Sequence, residues 1–140
     1  MEPALEQLGE QECLRLISPG GVGRIAFTGR YGVSIFPVNY KVHDGSIVFR
    51  TADDSPLGED LRTGIQYADY KVAFEIDDFD QAAREGWSVL IQGPAHHMDT
   101  SAERALAEEI GVEPWPGGQR DDHIRITPTR MTGRRIRQRG

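Results

Sequence analysis

The residues best suited to hold a charged ligand close one short segment, Ser46-Ile-Val-Phe-Arg-Thr51. An Arg guanidinium forks onto phosphate or carboxylate oxygens, and a Thr hydroxyl adds a donor beside it. The preceding segment, Val33-Ser-Ile-Phe-Pro-Val-Asn-Tyr40, carries a Pro-Val-Asn-Tyr run whose amide and apolar groups suit the edge and wall of a flat polar ring. Read together, the two suit a ligand with a ring at one end and a phosphate at the other. The continuation, Ala52-Asp-Asp-Ser-Pro56, opposes that reading, because Asp53 and Asp54 repel phosphate. At an effective dielectric near 20, unit charges ~4 Å apart interact by about 4 kcal/mol. Ser55 and Pro56 begin a helix, whose N-terminal N–H groups attract anions.

Other chemistries find little support. His96 and His97 are adjacent on a strand and point to opposite faces, so they cannot chelate together. His43 falls in a turn, and His123 starts a strand with no second ligand at metal spacing. Cys13 lies on the apolar side of a helix with no base placed beside it. No Ser-His-Asp order or nucleophile elbow is visible. No metal site and no catalytic side chain is therefore assigned, and any chemistry belongs to a bound cofactor.

The helices and strands around these residues follow from period and punctuation. Residues 10–17 read as a helix stopped by Ser18-Pro-Gly-Gly21. Val22–Thr28 reads as a strand, Gly29–Gly32 as a hairpin turn, and the next strand runs to about Val42. Asp44-Gly45 supplies the positive φ angles of a tight hairpin before Ser46–Thr51. Ser55-Pro56 starts a helix with Leu57, Leu61 and Ile65 on one stripe. Tyr70–Ile76 reads as a strand, Asp77–Glu85 as a polar loop, and Ser88–His97 as a strand in which Gly93-Pro94 marks a bulge or edge. Thr100 and Glu103 form a capping box for a helix that ends at Gly111. Trp115 sits in a Pro/Gly-rich loop that closes over a ring or plugs a barrel end. His123–Thr127 is a last strand, extended past Pro128 by Met131–Ile136. Strands adjacent in sequence, without regular crossover helices, indicate a mainly β fold: a small antiparallel barrel of about six strands with three short helices on its rim.

Composition bounds the rest. The 140 residues suit one domain, 1–140. No stretch approaches the roughly 20 apolar residues of a membrane span. The start lacks signal-peptide character and the single cysteine fits a reducing compartment, so a cytoplasmic location is expected. A net charge of −6 argues against nucleic-acid binding. Of 16 basic residues 14 are Arg, and Arg130, Arg134, Arg135, Arg137 and Arg139 crowd the last eleven positions, so residues 134–140 read as a flexible, Arg-rich end.

Five pieces occur in order: Pro37-Val-Asn-Tyr40, Phe49-Arg-Thr51, Gly86-Trp-Ser-Val89, Arg120-Asp-Asp-His-Ile-Arg-Ile126 and Thr132-Gly-Arg-Arg-Ile136. In this the chain resembles the pyridoxamine 5′-phosphate oxidase-like, FMN-binding split-barrel proteins, especially the short actinobacterial-type members, from about residue 8 to 137. The resemblance implies a six-stranded antiparallel split barrel and a homodimer with flavin between the subunits. It implies FMN, with F420 as the alternative, and flavin-dependent oxidoreductase activity on a small planar substrate. Pro37, Val38 and Asn39 match family positions lining the ring; Phe49, Arg50 and Thr51 match those at the phosphate and ribityl end, with Ser55 adding helix-start donors. Trp87 and Ser88 open the strand that reaches the partner's cofactor, Gln92 projects from the same strand, and Arg134 follows Gly133 as in the family. The chain departs from its relatives after Thr51: they continue with a Gly-Ser-Lys or Gly-Thr-Lys triplet, whereas Asp53-Asp-Ser-Pro-Leu57 contains no Lys. That departure implies weaker phosphate binding, or a non-catalytic module with a degraded phosphate site.

Overall fold

The structure is a computed structural model that describes residues 3–29, 31–51, 70–113 and 122–138. Its strands are β1 (Pro3–Leu8), β2 (Gly21–Gly29), β3 (Gly32–His43), β4 (Ser46–Thr51), β5 (Tyr70–Asp80), β6 (Glu85–His97), β7 (Asp122–Ile126) and β8 (Arg130–Gln138). The helices among the described residues are α1 (Glu10–Ile17) and α2 (Ser101–Ile110). The helix expected from Ser55 lies outside the described residues.

Local chemistry explains most of the boundaries. Asp44 and Gly45 turn β3 into β4 with φ values of 47° and 74°, the left-handed pair that lets a two-residue hairpin follow the strand twist. Thr100 Oγ1 accepts from the Glu103 N–H at 3.1 Å while Glu103 accepts from the Thr100 N–H at 3.2 Å, and Gly111 closes α2 at φ 67°. The polar loop expected at 77–85 is shorter. β5 continues to Asp80 because Asp77, Asp78, Phe79 and Asp80 pair with Ser88, Trp87, Gly86 and Glu85, and backbone pairing tolerates charged side chains that reach solvent.

Six strands close into an antiparallel barrel in the order β6-β5-β2-β3-β4-β7, with β7 returning to β6. The extension past Pro128 is a separate strand, β8, lying in line with β7 along the same edge of β6. Ile126 stands opposite Ala95 and Arg130 opposite Gln92, so four steps of one chain span three of the other. This inserted residue is a bulge, and it forks the sheet. β7 bends away to pair with β4, while β8 goes on to pair with β1, a strand the sequence reading did not anticipate. Residues 134–138 of the Arg-rich end belong to β8, where backbone hydrogen bonds to β1 and β6 hold them.

The barrel interior is filled by Ile25, Phe27, Tyr40, Ile47, Phe49, Phe74, Ile76, Val89, Ile91, Ile124 and Ile126. Each such side chain contributes about 1.5–3 kcal/mol by leaving water. α1 seals one side by setting Cys13 against β8, where a Cβ at Gly133 would meet its sulfur at 2.6 Å. α2 covers the opposite surface of β4, packing Ala107, Leu106 and Ile110 onto Val48, Met98 and Val112.

Candidate functional site

Strand alternation sorts the candidate residues onto two faces. On the outer face, one row runs from Pro37 (β3) through Arg24 (β2), Glu75 (β5) and Leu90 (β6) to Thr132 (β8). The next runs Ile35, Ala26, Ala73, Gln92 and Arg130. Asn39 and the Ser88–Arg134 pair flank the first row on its other side. Pro37, Asn39, Ser88, Gln92 and Arg134 therefore share one surface. Val38, Tyr40, Phe49, Thr51 and Trp87 point the other way. Tyr40 is buried, donates from Oη to the Ile17 carbonyl at 2.9 Å and meets Phe74 edge-on; burial pushes its phenol up to about 12. It serves the core.

Arg50 and Thr51 likewise separate. Thr51 is 3% exposed and stands opposite Asp122 inside the barrel end. Arg50 is on the outer side, on the same face as Asn39 and Lys41, because Phe49 opposite Tyr40 fixes the alternation. Its Nη1 donates to the Val112 carbonyl at 3.0 Å, and Lys41 Nζ donates to the Ile110 carbonyl at 3.2 Å. Two cations thus hold the carbonyl end of α2, where the helix dipole favours positive charge. Beside them Asn39, Lys41, Gly20, Gly21 and Glu113 line a hollow of about 340 Å³. Lys41 is a residue the sequence reading missed, although it is one of only two lysines in the chain and shares the parity of Asn39. Ser55, Asp53, Asp54, Pro56 and Trp115 lie outside the described residues.

Gln92 lines a second hollow of about 660 Å³ with Thr28, Val33, Lys71 and Pro94. Trp87 is half-buried against the core, opposite Asp78 and Arg135, and lines a third hollow of about 550 Å³. Arg135 also donates to Glu12 at 2.9 Å, whereas Arg134 faces outward. The candidate residues of one chain thus reach three separate hollows.

Between these hollows the outer face is apolar, with Val33 78% and Ile35 63% exposed beside the partly exposed Leu90. Ala26, Ile35, Ala73, Phe74 and Leu90 form a small hollow of about 220 Å³, rimmed by Arg24 and Glu75. Arg24 Nη1 reaches Glu75 Oε1 at 3.2 Å and Asp77 Oδ2 at 3.4 Å, so one cation serves two carboxylates. Burial, then the hydrogen bond and charge of Asp77, push Glu75 up to about 7 against the pull of Arg24.

The barrel end at Thr51 carries a polar pair that sequence spacing did not reveal. His97 Nδ1 lies 2.7 Å from Asp122 Oδ2, with the His97 side chain 10% and the Asp122 side chain 2% exposed. Asp99 joins them, and ligand-type atoms of the three lie within 4.8 Å of one another. The neighbouring His96 faces outward and meets Glu103 at 3.0 Å. Among the described residues no helix is long and apolar enough to cross a membrane.

A closed six-stranded antiparallel barrel, with a forked edge carrying two further strands, defines the split-barrel class. The chain belongs to the pyridoxamine 5′-phosphate oxidase family, whose profile matches residues 9–135. It is 32% identical over 130 residues to an uncharacterised protein of Mycobacterium tuberculosis, covering 93% of this chain and 84% of that one. It also resembles an FAD-binding protein from Mycobacterium smegmatis, at 32% identity and a TM-score of 0.75, with 94% of this chain and 98% of that chain covered. An FAD-binding protein from Mesorhizobium loti shares the fold at 17% identity and a TM-score of 0.75, with 98% and 100% coverage.

Proposed function

We propose that this protein is a homodimeric flavin-binding oxidoreductase in which the outer barrel face receives the flavin. The single observation carrying this reading is the alignment of Pro37, Asn39, Ser88, Gln92 and Arg134 on one surface that ends at Lys41 and Arg50. In that reading Pro37 and the Asn39 amide meet the ring and its polar edge, and the Arg50–Lys41 end takes the phosphate. Lys41 supplies the cation that the Asp53-Asp54 segment lacks. Flavin supplies hydride acceptance and donation, and the protein contributes position, exclusion of water and charge. The candidate residues reach separate hollows, and a second subunit across the apolar face would unite them: Trp87, Ser88 and Arg134 of one chain would complete the site begun by Asn39 and Arg50 of the other.

FMN is the smallest flavin that satisfies this surface. The FAD-binding relative makes FAD the next form, and F420, with its polyanionic tail, calls for a broader basic groove than Lys41 and Arg50 offer. The substrate class is a small planar acceptor stacked on the ring. Cys13, buried and unpaired, suits a cytoplasmic location.

The test is the absorbance spectrum of the purified protein with mass spectrometry of the released ligand. The expected result is a flavin spectrum, with Lys41→Ala and Arg50→Ala each weakening FMN affinity about tenfold, the equivalent of about 1.4 kcal/mol. A colourless protein that takes up neither FMN, FAD nor F420 would refute the reading.

A further inference from the structure

The charged row in the middle of the apolar face is not used by the flavin reading. A carboxylate at the rim of an apolar hollow is a poor interface group, because docking strips its water. Glu75 occupies that position: Leu90 stands opposite it on β6, Arg24 opposite it on β2, and both it and Arg24 rim the 220 Å³ hollow. β2 presents Arg24. β5 itself presents Asp77 and, beyond Ala73, Lys71. On β6 the neighbours are the uncharged Ser88, Leu90 and Gln92, with Pro37 and Ile35 on β3. Beyond β6, β8 places Thr132 in the same row and Arg130 and Arg134 at its flanks. One guanidinium within 3.4 Å therefore serves two carboxylates.

The same face carries a protruding apolar side chain, Val33, and an apolar hollow between Ala26, Ile35, Ala73 and Leu90. A knob and a socket on one surface are what a two-fold, self-complementary contact requires, so a second copy of this chain is the occupant. We propose that Glu75 is a proton-operated latch on self-association, protonated in the dimer and ionised in the dissociated chain at alkaline pH. The inference rests on the dimer reading above. Protonated Glu75 donates to Asp77, leaving Arg24 to balance one carboxylate. Ionised Glu75 leaves the Arg24–Glu75–Asp77 cluster with one negative charge in excess, Lys71, Arg130 and Arg134 lying further along the face, and two-fold symmetry brings two such clusters to one interface. Association at alkaline pH takes up one proton from solvent per Glu75, two per dimer.

With a midpoint of about 7 in the free chain, the protonated fraction falls roughly tenfold between pH 6 and pH 8, and two copies square the effect. The dissociation constant should rise roughly a hundredfold over that interval. The experiment is sedimentation equilibrium of the full chain at fixed ionic strength from pH 6 to 8, with Glu75→Gln and Asp77→Asn variants. Wild type should weaken at least tenfold, Glu75→Gln should stay tight at pH 8, and Asp77→Asn should move the midpoint to lower pH. A direct carboxyl NMR titration of Glu75 gives a second readout that does not depend on the variants folding. A dimer whose affinity changes less than tenfold overturns the latch and leaves the dimer reading standing. A chain that stays monomeric at every pH overturns both.

Discussion

The fork in the sheet depends on Gly93, and replacing it with Ala tests whether the fork is built as described. A Cβ at this position would lie 2.1 Å from the Thr127 carbonyl oxygen and 3.1 Å from the Thr129 nitrogen, where real side-chain carbons keep at least 3.0 Å. The obstruction is backbone, so it cannot rotate aside as a flexible side chain would. Overpacking of this kind costs about 1–3 kcal/mol. The displaced bulge also loses the hydrogen bonds from Thr127 N–H to the Pro94 carbonyl (3.1 Å) and from Thr129 N–H to the Gln92 carbonyl (2.9 Å). At about 1 kcal/mol each, the total reaches roughly 3–5 kcal/mol, or about 10–15 °C in Tm for a domain of this size. Thermal unfolding followed by circular dichroism reads it directly. Gly9→Ser is the control, since nothing lies within 4 Å of a Cβ there, its φ is −75°, and Ser suits its place as the N-cap of α1. A Gly93→Ala protein that melts within about 3 °C of wild type would show that the bulge is not held against β6 as argued.

Two further predictions concern the charges inside and beneath the barrel. Asp122→Ala strands the His97 Nδ1 proton in a nearly closed environment and should cost about 3 kcal/mol, read as a lower urea midpoint, whereas Asp122→Asn should cost roughly 1 kcal/mol. Glu12 is held down to about 2 by Arg15 and then Arg135. A depressed carboxylate stabilises the fold above its ordinary value of 4.5 and loses that contribution as pH falls toward 2. Glu12→Gln should therefore lower Tm at pH 7 and lower it far less at pH 2, where folded Glu12 is about half protonated; equal losses at both would contradict the assignment.

The barrel was legible because its signals are local. Asp44-Gly45 fixes the β3–β4 turn, and the Thr100–Glu103 box and Gly111 bracket α2. The fork was not, because it is a contact between Gly93 and Thr127 that no window of sequence contains. Pro94 and Pro128 mark the place without saying which edges separate there. β1 has no turn beside it and pairs with the far end of the chain, so no local signal marked its six residues as a strand. At the site, alternation alone put Asn39 and Pro37 on one face. It also set Thr51 opposite to Arg50, which shows that adjacent residues in a motif rarely share a ligand when they lie on a strand. Lys41, His97 and Glu75 became visible only through their partners on other strands.

The pairing of β1 with β8 sets Pro3 against Gln138, a contact between the first and last described strands. Closing so long a loop costs conformational entropy before any ladder bond returns it. The β2–β3–β4 meander and the β5–β6 hairpin need no such closure and can form early from neighbouring residues. The ladder, in which β8 pairs with β6 and β1 with β8, predicts that β8 docks after β6 and β1 last. The two termini therefore act as a late clasp. In the finished protein β1 is the outer edge of the sheet, with β8 between it and β6, so amide protection from hydrogen exchange should fall first in β1 while the six-stranded barrel stays closed.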